Sequence, residues 1–329
     1  MKRPLFVFAG QSNMMGACVY DALQQIVYKN SFEYLHKPRR LGAPIGSFKQ
    51  EGFPAGEFSY KDLDAAYGDG ATVSLLDDYG ENTYFCPSMT NLKEDSAKSE
   101  QPFKAFSEAT ASKMAPSLAP YLVQGLEDAG RCCAYTHIAK GGVSIRYYLE
   151  GAAKDYFYEK VADFFADCEQ KFAGDDMSER VCVWLQGESD REGGGKAYFD
   201  RMAALWRDLK GAGFTKLMVV RVDYWDDDGI ACIMKAQEDF CAANEDAFII
   251  TRTASFIPWK GQNREVWYDG ELPEEYEFCR DSFYGFGNQH LNDKAFRLIA
   301  KAAVPNIICI LEGGEPVLEE ELILPLKQN

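Results

Sequence analysis

The sequence predicts an α/β fold, a doubly wound sheet of about five parallel strands with helices on both faces. Two observations carry this. Short apolar runs occur at Leu5–Ala9, Cys133–Ile138, Val181–Leu185, Leu217–Val222 and Phe248–Thr251, the continuous kind expected of strands buried on both faces. Helical patterns separate most of these runs, so strand and helix alternate along the chain.

The opening residues, Met1-Lys2-Arg3-Pro4-Leu5-Phe6-Val7-Phe8-Ala9, imitate a signal peptide, but the apolar run is cut at Gly10 and no small-residue cleavage site follows. They read as the first strand. Residues 17–103 are rich in Gly, Asp, Tyr and Pro and hold no long periodic stretch. A connection of that length is rarely a bare loop, and its aromatics (Phe48, Phe53, Phe58, Tyr60, Tyr67, Tyr79, Tyr84, Phe85) suggest an ordered elaboration packed over the sheet and forming one wall of a cleft. Between the second and third strands Phe157, Val161, Phe164, Phe165, Cys168 and Phe172 recur at helical spacing, as do Tyr198, Met202, Leu205, Trp206 and Leu209 after the third. Both stripes are core packing, and Gly130 and Gly174 stand where helix C-caps are expected.

Asp190-Arg191-Glu192-Gly193-Gly194-Gly195 reads as a flexible connection. Asp223-Tyr224-Trp225-Asp226-Asp227-Asp228-Gly229 has oxygen ligands but not the spacing of an EF-hand, so it reads as a solvated acidic loop and no metal is expected. The tail from Asn306, with Ile307–Leu311 and Leu322–Leu326, suits an added edge strand or a subunit contact, which leaves a homo-oligomer open. The expected organisation is one domain over residues 1–305 and a C-terminal extension over 306–329.

A formal net charge of −16 argues against nucleic acid and anionic membranes as partners. The ten cysteines lack the CxxC or CxxH spacing of a structural zinc site and suit reduced thiols in a core. No run approaches the roughly 18 apolar residues of a membrane span. With no leader visible, a cytoplasmic location is the simplest expectation, and no feature calls for a cofactor.

In a doubly wound sheet ligands bind at the carboxyl ends of the strands. The segments following the strands there are Gly10-Gln11-Ser12-Asn13, Ala139-Lys140-Gly141-Gly142 and Gln186-Gly187-Glu188-Ser189-Asp190. Ser12, at a sharp turn after a strand, is placed as a nucleophile, although serine there is more often an N-cap. A serine hydroxyl needs a base of near-neutral pKa, and the chain has three histidines. His36 lies in the irregular insertion, and His137 lies within a strand and reads as a core residue. His290 precedes an amphipathic helix in a loop able to reach the rim. Oxyanion donors could come from the backbone N–H of Ser12, the N–H of Gly142 and the side-chain amide of Gln186, each worth roughly 3 kcal/mol of barrier. Gln11, Asn13 and Lys140 are candidate substrate contacts.

Phe8-Ala9-Gly10-Gln11-Ser12-Asn13-Met14-Met15-Gly16, Lys140-Gly141-Gly142, Trp184-Leu185-Gln186-Gly187-Glu188-Ser189-Asp190 and His290-Leu291-Asn292 resemble, in order, the blocks of the sialate O-acetylesterase and acetylxylan esterase group (carbohydrate esterase family 6) of SGNH hydrolases. The resemblance touches most of the chain from residue 5 to about 303 but is specific only in those blocks. It implies a three-layer flavodoxin-like fold and a serine esterase acting on an acetylated carbohydrate, with Ser12 as nucleophile, His290 as base and oxyanion donors at Ser12, Gly142 and Gln186. Many relatives carry an Asp three residues before the histidine; here that position is Gly287. Glu188 is the first choice for the orienting carboxylate, Asp281 the second, and a dyad with a backbone carbonyl the third. Glu188 could instead organise the rim through hydrogen bonds. The rival readings are a carbohydrate-binding protein on the same fold that has lost turnover, and an esterase for a non-sugar ester.

Overall fold

Leu5–Gly10 forms β1 because every side chain in it has an apolar face to enter. Phe6 and Phe8 point to one side of the sheet and Leu5, Val7 and Ala9 to the other, all buried. The computed structural model describes residues 1–15, 28–34, 103–106, 117–223, 228–257, 279–281 and 290–320. In chain order these form β1, α1 (Ser12–Met15), β2 (Tyr28–Tyr34), β3 (Phe103–Phe106), α2 (Leu118–Asp128), β4 (Ala134–Ala139), α3 (Gly151–Lys171), β5 (Arg180–Leu185), α4 (Gly195–Gly211), β6 (Lys216–Val220), α5 (Asp228–Ala242), β7 (Ala247–Thr251), α6 (Thr253–Phe256), β8 (Arg280–Asp281), β9 (His290–Leu291) and α7 (Asp293–Leu311).

The main sheet has seven strands in the order β3-β2-β4-β1-β5-β6-β7. All pairings are parallel except that of the edge strand β3 with β2. The five expected strands are β4-β1-β5-β6-β7, the flavodoxin-like order, whose switch point lies between β1 and β5. Helices α2 and α7 cover the Phe6/Phe8 face, and α3, α4 and α5 cover the Leu5/Val7 face. This makes three layers. Among the described residues no helix is long and apolar enough to cross a membrane.

The sixth parallel strand, β2, arises inside the insertion, where no strand was expected. Its sequence, YKNSFEY, hides a buried strand because Ser31 and Glu33 are polar yet 0% exposed. Each accepts a hydrogen bond from the neighbouring β4 segment: Ser31 Oγ from Cys133 N at 3.1 Å, and Glu33 Oε2 from Tyr135 Oη at 3.2 Å. The remaining insertion residues, including the expected aromatic wall, lie outside the described residues.

The expected edge strand at Ile307–Leu311 is instead the end of α7, which runs across the boundary drawn at residue 305. Ile299, Ala303, Ile307 and Ile310 continue one helical face into the core. Asn306 pins the following segment, its amide donating to Ile250 O at 2.9 Å and Val317 O at 3.0 Å. Residues 306–311 therefore belong to the domain. Leu322–Leu326 lies outside the described residues. The cap at Gly130 is as expected: at φ +76° its N–H reaches Glu127 O and the N–H of Arg131 reaches Leu126 O, both at 2.8 Å.

Candidate active site

Parallel register sets Gly10 level with Ala139 of β4 on one side and Leu185 of β5 on the other. The loops carrying Ser12, Gly142 and Gln186 therefore leave the sheet side by side. Gly10 has φ +150°, and a Cβ there would lie 1.9 Å from Leu185 O. Only glycine fits. The buried Tyr148 hydroxyl accepts from Gly10 N at 3.0 Å and donates to Gly10 O at 2.5 Å, while Gln11 N donates to Leu185 O at 3.1 Å. Ser12 then opens α1 half-buried at the rim.

Asn13 is turned inward and 1% exposed. Its Oδ1 accepts from Leu291 N at 3.0 Å, across 278 positions of sequence. This bond ties β9, and with it the half-buried His290, to the residue next to Ser12. Asn13 Nδ2 donates to Glu188 Oε1 at 2.8 Å and to Asp223 Oδ1 at 3.4 Å. Both acceptors of the Asn13 amide therefore lie inside the protein. In the short antiparallel ladder β8·β9, Asp281 is the residue opposite His290. Gly287 lies outside the described residues.

Glu188 opens a 3-10 turn over Glu188–Gly193 and is 1% exposed. Burial first, then repulsion from Asp223, push its carboxyl well above the ordinary glutamate range. Its carboxyl accepts from Asn13 and is repelled by Asp223. A triad acid must be ionised to stabilise an imidazolium, and this environment favours the neutral form.

Gln186 lies at the floor of the rim. Its Nε2, with two hydrogens to give, lies 2.7 Å from Asp190 Oδ2, 3.1 Å from Val143 O and 3.2 Å from Gln11 Oε1, and its Oε1 accepts from Tyr198 Oη at 3.0 Å. In this structure the Gln186 amide braces the loops around the rim. Gln11 is buried too, its Oε1 also accepting from Ser189 N at 3.2 Å. Gly142 is exposed, at φ +69° in the turn after β4 with open space around its Cα. Lys140 is buried, with Nζ 6.0 Å from the centre of the Tyr147 ring. His137 is the core residue expected, its Nε2 2.7 Å from Met14 O.

Two readings of the acidic segments are corrected. Asp190 is no flexible linker: it accepts from Ser144 Oγ at 2.6 Å, Ile145 N at 2.8 Å, Gln186 Nε2 at 2.7 Å and Arg201 at 3.0 Å. Asp223 is not solvated; it is 0% exposed and faces Asn13. Both follow strands at the carboxyl edge of the sheet, the one signal that could have marked them. Residues 224–227 lie outside the described residues.

No family model matches the chain, and no curated protein does. Among solved structures it is similar to a protein from Arabidopsis thaliana at 12% identity and a TM-score of 0.50, over 94% of this chain and 98% of that one. A carbohydrate acetylesterase from Xanthomonas citri aligns at 11% identity and a TM-score of 0.43, over 92% of this chain and 55% of that one. At such identities the likeness shows the fold alone.

Proposed function

We propose that the chain is a serine esterase that removes O-acetyl groups from a carbohydrate through an acyl-serine intermediate. The observation that carries this reading is the hydrogen bond from Leu291 N to Asn13 Oδ1, which fastens the strand of His290 beside the turn of Ser12. In this reading His290 takes the Ser12 Oγ proton as Oγ attacks the acetyl carbonyl, and the oxyanion forms against the backbone N–H groups of Ser12 and Gly142. The sugar hydroxyl leaves with the proton from His290, which then draws a proton from water to release acetate. Asp281, opposite His290 in the ladder, is assigned the orienting carboxylate. The carbohydrate and the small acyl group come from the resemblance of the sequence blocks.

The test is acetate release from p-nitrophenyl acetate and from acetylated xylo-oligosaccharides and sialic acid. Ser12→Ala and His290→Ala are expected to lose activity by about a thousandfold or more, and Asp281→Asn by about a hundredfold to ten-thousandfold. A wild type inert on all of these esters, or a Ser12→Ala variant that keeps turnover, would overturn the assignment.

A further inference from the structure

Beneath the Ser12 turn two buried acids meet one amide. Glu188 is 1% exposed and Asp223 0%, and the Nδ2 of Asn13 gives one hydrogen to each, at 2.8 Å and 3.4 Å. Glu188 Oε2 is fully buried and meets no N–H or hydroxyl donor among the described residues. Besides Asn13, the groups that act on the Glu188 carboxyl are its own backbone N–H, which favours the charged form, and the carboxyl of Asp223, which opposes it. Two buried carboxylates that share one amide repel each other, which favours a proton on one of them. A proton on Oε2 removes one charge and gives that oxygen a hydrogen to donate.

We propose that Glu188 and Asp223 share one proton and act as a positioning pair, fixing the Asn13 amide and, through its Oδ1, the strand that carries His290 beside Ser12. The pair touches neither substrate nor the reacting atoms. This rests on the Ser12–His290 reading for its consequence, but not for its existence. Burial and the neighbouring Asp223 raise the Glu188 carboxyl, in agreement with the contacts. Among the described residues Tyr198 from α4 also interacts electrostatically with Glu188, while Asp190 in the same turn is held by Arg201 at 3.0 Å.

Glutamine at 188 keeps both functions of a protonated glutamate, a carbonyl oxygen for Asn13 and an N–H for Asp223; leucine keeps neither. With acetyl esters, Glu188→Leu is expected to lower kcat by about a hundredfold with KM within about twofold, and Glu188→Gln to recover all but about fivefold of that loss. The second readout needs no catalysis. A glutamate raised in the folded protein above its ordinary 4.5 binds a proton that the unfolded chain has released, so stability falls as pH rises from about 4.5 through the folded value. The Tm of wild type should show that fall, and Glu188→Gln should lack that part of it. Parallel Tm profiles for the two proteins would overturn the shared proton. Divergent profiles with Glu188→Leu as active as wild type would overturn the positioning role. A Glu188→Gln variant as inactive as Glu188→Leu would mean that the charge on Glu188 is required, and would also overturn it. If wild type hydrolyses no ester, the proposed function fails while the thermal comparison still decides the shared proton.

Discussion

Gly10 shows how one backbone position decides where chemistry can occur. At φ +150° it lets β1 turn away under the Leu185 carbonyl, and Ser12 follows two residues later at the rim. A methyl group there would overlap Leu185 O, so Gly10→Ala is expected to cost about 3 kcal/mol or more, measured as a lower urea midpoint with an unchanged m-value. A loss below about 1 kcal/mol would mean that β1 and β5 can separate at their ends. The place of Ser12 at the end of β1 was legible because a serine after a strand is a local signal, whereas His290 was reached by elimination among three histidines. Asp223 was not legible as a buried group, and Glu188 was read only as a carboxylate at the rim that either orients the histidine or organises the rim through hydrogen bonds. Charge normally marks solvent, and only the fold reveals that both lie against the Asn13 amide.

At the scale of elements, hydropathy found the five strands whose side chains are apolar on both faces, and it failed at β2. There Ser31 and Glu33 fill core positions through hydrogen bonds to Cys133 and Tyr135, a cross-strand pairing that no single stretch of sequence contains. The end of α7 was misread for the opposite reason, since Ile307–Leu311 is apolar enough to imitate a strand once its continuity with Ile299 and Ala303 is overlooked. The turn over Glu188–Gly193 depends on Asp190, which gathers four donors from the β4 loop, β5 and α4. Asp190→Asn keeps the size but turns one acceptor into a donor facing Ile145 N or Gln186 Nε2, and weakens the contact with Arg201. It is expected to destabilise by about 2–3 kcal/mol. A circular-dichroism melt and a urea titration would check this. If stability is kept, the turn is held by its glycines and by the packing of Gly195 against Cys232 instead.

Over the whole molecule, the buried Glu188 and the half-buried Glu319 pull the pH dependence of stability in opposite directions. Glu188 is raised, so its contribution declines as pH rises above about 4.5. Glu319, on the segment following α7, accepts from Thr251 Oγ1 at 2.5 Å, Thr253 Oγ1 at 2.6 Å and Arg252 N at 2.8 Å. Burial works to raise its carboxyl, but these donors together outweigh burial and hold it below the ordinary 4.5. Its stabilising contribution is therefore present above about pH 4.5 and is lost as pH falls through the folded value. Glu319→Gln should melt below wild type near neutral pH, and the two curves should converge as the wild-type carboxyl is protonated below about pH 4. Curves that stay parallel down to pH 3 would assign the effect to packing at the end of β7. The net charge of −16 adds a self-repulsion that also grows with pH. Salt separates the contributions: repulsion between exposed charges is screened at 0.5 M KCl, whereas the Glu188–Asp223 pair, sealed from solvent, should keep its slope.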